Sequence, residues 1–200
     1  MTAGEPLESG WGPAAAPGDS LWNDFQQETA RSFAELGRAR GDRVERIAAE
    51  LTMTDASTPL PFHNRAVLEQ PIVDTERTVE QLRTFYGAAG EGPFLLDSAW
   101  PTPDLRGHGF MLMGHPPLMM RAADQPLAEP LPGLRIVRVE DAETAADLER
   151  TLIDGYPAPM LAPVDPSKPA TLVASDLGRP IYEQLGFVAI GHVSFWVGTR

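Results

Sequence analysis

The chain has 200 residues, of which 42% are hydrophobic and 22% charged, and this composition is ordinary for a globular protein of one large or two small domains. Its formal net charge of −12 argues against nucleic acid or anionic membrane surfaces as partners, because both need clustered Lys and Arg. The absence of cysteine excludes disulfides and thiol catalysis, and no apolar run is long enough for a membrane span. We therefore expect a cytoplasmic protein that binds neither nucleic acid nor membranes.

The first 20 residues are rich in Gly, Pro, Ala and acidic residues without a period, which predicts a disordered tail. After Asn23 and Asp24 as caps, residues spaced three and four apart predict one amphipathic helix that bends or breaks at Gly37 and Gly41. Its stripe consists of Phe25, Thr29, Phe33, Leu36, Val44, Ile47 and Leu51. Such a stripe is more typical of core packing than of a cofactor site.

Residues 58–70 are predicted to form a loop with a polar cluster, Phe62-His63-Asn64-Arg65. This cluster either lines a pocket or satisfies backbone groups in a turn, and we favour the second interpretation. Asp74 and Thr75 are predicted to cap a helix that ends near Gly87 and buries Val79, Leu82 and Phe85 or Tyr86. Strands are predicted at 93–100 and 109–114, and a third short apolar run follows at 118–121.

Arg106-Gly107-His108-Gly109 has the glycine spacing of a phosphate-binding loop, which requires a helix directly after it. Pro116 and Pro117 stand where the second turn of that helix would be, so we favour a strand there instead. The four histidines show no spacing typical of metal ligands, and no metal is predicted. They are His63, His108, His115 and His192.

Residues 122–132 are predicted to be a linker between an N-terminal helical and short-strand region, 21–121, and a C-terminal region, 133–200. The C-terminal region begins with a predicted strand at 134–140 and a helix capped by Asp141. That helix carries an apolar stripe of Ala145, Leu148 and Leu152. Residues 158–169 contain four prolines, leave no room for a strand, and are predicted to be mobile.

The clearest pattern lies at 170–187. A short buried strand, Thr171 to Ala174, is followed by Ser175 and Asp176, which are residue types that cap helices. Pro180 suits the first turn of a helix, and Gly186 suits the left-handed residue that ends it. Ile181 and Leu185 form the apolar side of this helix, so Tyr182 points to a different face.

The motif Tyr182-Glu183-Gln184-Leu185-Gly186-Phe187, together with the preceding Ala174 to Pro180, resembles the ending of the GNAT superfamily of acyl-CoA-dependent N-acyltransferases. The resemblance implies an α/β (α+β) fold, with a GNAT-like mixed sheet and flanking helices. It implies acetyl-CoA as co-substrate, contacted by Ser175, Gly178 and Arg179, and a small-molecule or peptide amine as acceptor. It also implies that Tyr182 is the general acid that protonates the departing thiolate. The alternative is an ordinary β-α-β unit with a core tyrosine.

The family's central strands and pyrophosphate loop have no counterpart in residues 158–169. Either the N-terminal region supplies those strands, or the chain is an internally shortened GNAT protein with an incomplete core, and we favour the second. The family's position for a general base falls in the same interval, so no base is predicted. The expected function is an N-acetyltransferase impaired by its shortened core, and the alternative is a non-catalytic pseudoenzyme or ligand- or partner-binding protein. A homodimer is a further candidate assembly.

Overall fold

The computed structural model of the chain describes residues 20–122, 139, 141–155 and 170–200. Within these ranges the helices are α1 (Ser20–Arg40), α2 (Thr75–Gly87), α3 (Ala142–Gly155) and α4 (Arg179–Gln184). The strands are β1 (Arg43–Ile47), β2 (Leu51–Asp55), β3 (Asn64–Leu68), β4 (Phe94–Ser98), β5 (Met111–Gly114), β6 (Pro117–Arg121), β7 (Ala170–Val173), β8 (Val188–His192) and β9 (Ser194–Gly198). The predicted tail, linker, strand 134–140 and mobile segment lie outside the described residues, apart from Ser20, Ala122 and Val139.

The described strands form a six-stranded sheet in the order β1-β2-β3-β4-β9-β5 and a three-stranded sheet in the order β7-β6-β8. β3 and β4 are parallel and are connected through α2, whereas the other pairs are antiparallel. β9 lies between β4 and β5, and β6 lies between β7 and β8. Each sheet therefore combines strands from both sides of residue 122. The N-terminal region supplies the neighbours of the C-terminal strands, which is the alternative that we did not favour.

The predicted long N-terminal helix is wrong beyond residue 40, and its predicted caps, Asn23 and Asp24, lie within α1 instead of before it. Gly41 adopts a left-handed φ of 82°, and the N–H groups of Gly41 and Asp42 bond the carbonyls of Arg38 and Gly37, which is a Schellman helix ending. The chain then forms the β1–β2 hairpin, whose turn places Ala48 and Ala49 at positive φ of 44° and 57°. The sequence did not predict this turn, because alanines occupy the positions where glycine or asparagine usually marks one.

The loop predicted at 58–70 is also wrong over its second half, which is β3. This strand pairs with β2 on one side and β4 on the other, and such long-range pairing has no local sequence signal. Asn64 behaves as the favoured interpretation predicted. Its amide nitrogen donates to the carbonyls of Thr58 at 2.7 Å and Pro93 at 2.8 Å, so it satisfies backbone groups beside a turn.

The two long N-terminal helices cover opposite faces of the six-stranded sheet. α1 packs Ala30 and Phe33 against Val67, whereas α2 packs on the face that carries the neighbouring Ala66. The prediction for α2 is confirmed, because the Asp74 carboxylate accepts the Arg77 N–H at 3.0 Å. Its predicted core residues are also buried, and they are Val79, Leu82, Phe85 and Tyr86.

The C-terminal pattern is confirmed as strand, helix and strand, with corrections at the helix start and on the helix faces. Ile181, predicted on the apolar side, is 50% exposed, whereas the Tyr182 ring is half-buried. α4 begins at Arg179 after Gly178, and Ser175 instead caps the turn before the helix by accepting the Gly178 N–H at 3.1 Å. Pro180 lies in the first turn as predicted, and Gly186 has a left-handed φ of 85°. The helix is therefore only six residues long, because three residues after Ser175 form a turn.

Candidate functional site

A cleft of about 540 Å³ lies where the end of β7 faces the six-stranded sheet. We call it the Ser175 cleft. Its lining residues are Phe62, Arg65, Met113, Gly114, His115, Pro116, Val173, Ala174, Ser175, Asp176 and Phe195. They come from four separate parts of the chain, and the volume is within the range of small-molecule pockets.

A buried ion pair forms one wall of this cleft. The Arg65 guanidinium pairs with the Asp97 carboxylate, whose side chain is 1% exposed. The guanidinium also lies 4.3 Å from the centre of the Phe33 ring and 5.4 Å from that of Phe195, within cation–π distance of both. Burial raises the pKa of Asp97, and the positive charge of Arg65 opposes this shift. The pair therefore fixes Arg65 between two aromatic rings on the cleft wall.

His115 is held on another wall by β9. Its Nδ1 lies 3.2 Å from the hydroxyl of the fully buried Ser194, and the Val193 N–H bonds the Pro116 carbonyl at 2.9 Å. The main-chain bond from Val193 connects the β5–β6 turn to the residue before β9. The contact with Ser194 orients the imidazole ring. An oriented imidazole in a small-molecule cleft is able to accept a proton.

The structure brings one of the four predicted site residues into the cleft. Ser175 lines it, whereas Gly178, Arg179 and Tyr182 lie on or just before α4 and are not among its lining residues. Arg179 pairs with Glu183 at 2.7 Å on the exposed side of the helix. The half-buried Tyr182 ring packs edge-on against Phe187, with ring centres 5.8 Å apart.

Because Gly178 has no side chain, the side chains of Ser175 and Tyr182 can both lie close to its backbone. A β-carbon at this position would lie 3.2 Å from both the Ser175 hydroxyl and a Tyr182 ring carbon. The predicted residues therefore form one compact group next to the cleft, even though only Ser175 faces into it.

Sequence reasoning did not identify Arg65, His115 or Phe195 as site residues. The pocket-lining interpretation of the cluster at 62–65 was not the favoured one, yet Arg65 and Phe62 line the cleft. His115 was treated as an ordinary histidine, and Phe195 carried no local signal. The three are far apart in the chain and meet only because β9 inserts beside β4 and β5. No spacing rule within the sequence encodes that meeting.

The glycine-containing segment at 106–109 does not have the structure of a phosphate-binding loop. It forms a single 3₁₀ turn that leads into strand β5, as predicted, and Arg106 pairs with Asp104 at 2.7 Å. A smaller cavity, of about 330 Å³, lies beside the start of α2. The N-terminus of α2 beside this cavity is already capped by the Asp74 carboxylate, so the cavity is unsuited to an anion.

Within residues 20–122, 141–155 and 170–200, no three His, Cys, Asp or Glu side chains are grouped as a metal ion would require. The helices described in the same ranges include none with the length and apolar character needed to cross a membrane.

The comparisons with known proteins bear on the fold. Neither the protein-family models nor the curated proteins give a match to this sequence. Among solved structures, the chain is similar to a GCN5-related N-acetyltransferase from Kribbella flavida, with a TM-score of 0.66 and 15% sequence identity. The match covers 91% of this chain and 97% of that one. The chain therefore has a GNAT-like fold, a mixed sheet with flanking helices, as the motif at 182–187 predicted.

Proposed function

We propose that the protein is an N-acetyltransferase that transfers the acetyl group of acetyl-CoA to a primary amine. The observation that carries this proposal is the GNAT-like fold, since the structural match covers 91% of the chain. The strand and helix of the Tyr182 motif are formed as β7 and α4. The Ser175 cleft supports it, because a small-molecule cleft opens at the end of β7, beside that helix. In this proposal Ser175, Gly178 and Arg179 contact acetyl-CoA.

The transfer needs one proton removed and one supplied. The neutral amine nitrogen, left after an ammonium substrate has released one proton to water, attacks the thioester carbonyl. The C–N bond forms, the C–S bond breaks, and the nitrogen loses its second proton. Tyr182 supplies a proton to the departing sulfur. His115 is our candidate for the group that accepts the proton from nitrogen, since Ser194 orients its ring in the cleft.

We further propose that acetyl-CoA binds weakly. Tight pyrophosphate binding requires several backbone N–H groups converging at a helix start, with a basic side chain near. α4 has only six residues, Arg179 is paired with Glu183, and Asp176 adds a carboxylate just before the helix. These observations also support the second candidate function, a GNAT-derived protein that binds a ligand or partner without catalysis.

The test combines binding with turnover. Thermal unfolding with acetyl-CoA reports binding, since a ligand at a hundredfold excess over Kd stabilises by about 2.7 kcal/mol. Thiol release with a panel of amines, detected by a chromogenic disulfide reagent, reports turnover. The protein itself does not react with the reagent, because the chain has no cysteine.

We expect slow thiol release that depends on both substrates, together with a small thermal shift. Gly107→Ala is the matched control, because a β-carbon at Gly107 meets no atom within 4 Å and the proposal gives this segment no contact with acetyl-CoA. Thermal stabilisation by acetyl-CoA without thiol release from any amine would favour the binding protein. A low-micromolar Kd that Gly107→Ala abolishes would show that residues 106–109 hold the pyrophosphate after all.

A further inference from the structure

With the Arg65–Asp97 pair counted as neutral, the described lining residues of the Ser175 cleft carry one net negative charge. Asp176 is exposed in its lining and has no ion-pair partner anywhere in the described part of the chain. Arg65 is the one Lys or Arg among the described lining residues, and Asp97 neutralises it. Among the described lining residues, the carboxylate of Asp176 is therefore the unpaired charge that a ligand meets.

The same cleft exposes unusually large apolar groups. Phe62 is 41% exposed and Met113 is 50% exposed, and the half-buried Phe195 also lines the cleft, with its ring centre 5.4 Å from the Arg65 guanidinium. The face of an aromatic ring attracts a cation, and a methionine side chain adapts to apolar groups of different shape. A carboxylate combined with such surfaces complements a ligand that has a cationic nitrogen and an apolar body.

We propose that the acyl acceptor is a small primary amine with an aromatic or branched apolar body, bound with its ammonium group at Asp176 and its apolar body against Phe62 and Met113. This inference rests on the proposed function for the role of the amine as acceptor. Anionic acceptors are disfavoured by Asp176 and by the overall charge of −12. The volume of about 540 Å³ accommodates a small molecule and disfavours a folded protein as the acceptor.

The binding test uses NMR titration of ¹⁵N-labelled protein in the absence of acetyl-CoA. The probe is 2-phenylethylamine, which has both features. 2-Phenylethanol keeps the ring without the charge, and methylamine keeps the charge without the apolar body. We expect 2-phenylethylamine to bind most tightly of the three and to shift the backbone amides of Ser175, Asp176 and His115.

Two variants test the residues. Asp176→Asn should weaken 2-phenylethylamine binding by about 1.4- to fivefold, the range for one exposed ion pair, and leave 2-phenylethanol unchanged. Phe62→Ala should weaken binding of both aromatic probes, because both rings lose the same contact. Glu80→Gln is the matched control, since it removes one negative charge from the exposed side of α2 and should leave all three affinities unchanged.

Equal affinity for 2-phenylethylamine and 2-phenylethanol, or no effect of Asp176→Asn, would overturn the inference. So would amide shifts confined to other parts of the molecule. Comparing amine binding with thiol release distinguishes failure of this inference from failure of the proposed function. Amine binding at these amides without thiol release would support the amine site but remove the acetyl transfer, and with it the role of the amine as acceptor. Thiol release from an amine that binds elsewhere would support the acetyl transfer and overturn the amine site.

Discussion

Arg65→Met removes the positive charge from the cleft wall while retaining an unbranched apolar side chain between Phe33 and Phe195. The partner carboxylate of Asp97 is 1% exposed, and in the described part of the chain its Oδ1 atom has no hydrogen-bond partner. The variant therefore leaves an uncompensated charge in the interior. Breaking a buried pair from one side costs about 3–5 kcal/mol, so we expect the free energy of unfolding to fall by this amount at neutral pH.

The loss should depend on pH in a defined direction. Burial raises the pKa of Asp97, and Arg65 opposes that shift, so the variant's Asp97 should have a pKa that is higher still. A carboxyl group whose folded-state pKa exceeds its unfolded value favours the folded state when protonated, and this contribution is lost as pH rises through the folded pKa. The deficit of Arg65→Met should therefore shrink as the pH falls, because protonation removes the buried charge.

Urea unfolding at neutral pH and at about pH 5 measures both effects. Adding Asp97→Asn to Arg65→Met should recover part of the loss, because the buried group is then neutral at every pH. Arg31→Met is the matched control, since it breaks the exposed Arg31–Glu28 pair and should change stability little. A deficit below about 1 kcal/mol at neutral pH, or an equal deficit at both pH values, would refute the reasoning.

Two further substitutions test the catalytic and packing assignments. Tyr182→Phe should lower the rate of thiol release at least about tenfold, within the range for losing a general acid, and should leave the melting temperature nearly unchanged because the ring still packs on Phe187. An unchanged rate would remove Tyr182 from the mechanism. Gly191→Ala should destabilise by about 1–3 kcal/mol in urea unfolding, because its β-carbon would lie 2.0 Å from the Trp22 ring. Gly87→Ala, whose β-carbon meets no atom within 4 Å, should be as stable as the parent, and equal stability of both variants would contradict the packing of α1 on β8.

The sequence predicted those elements whose signals are local. Asp74 before α2, the apolar spacing within that helix, and the Pro180 and Gly186 limits of α4 all act within a few residues, through capping bonds and backbone angles. The motif at 182–187 is also a local pattern of six residues, and it indicated the GNAT-like fold. The β1–β2 hairpin was missed because its turn at Ala48 lacks the residues that usually mark one.

Tertiary structure alone decided how the parts combine. Phe195 joins Arg65 and Ser175 in one cleft because β9 pairs with β4 and β5, and because β7 pairs with β6. The energy of those pairings comes from main-chain hydrogen bonds and side-chain packing between residues far apart in the chain, and a local pattern contains neither. The sequence by itself thus determined the Tyr182 helix and the acidic character of the chain. The cleft, its buried Arg65–Asp97 pair and the position of His115 depend on which strands became neighbours.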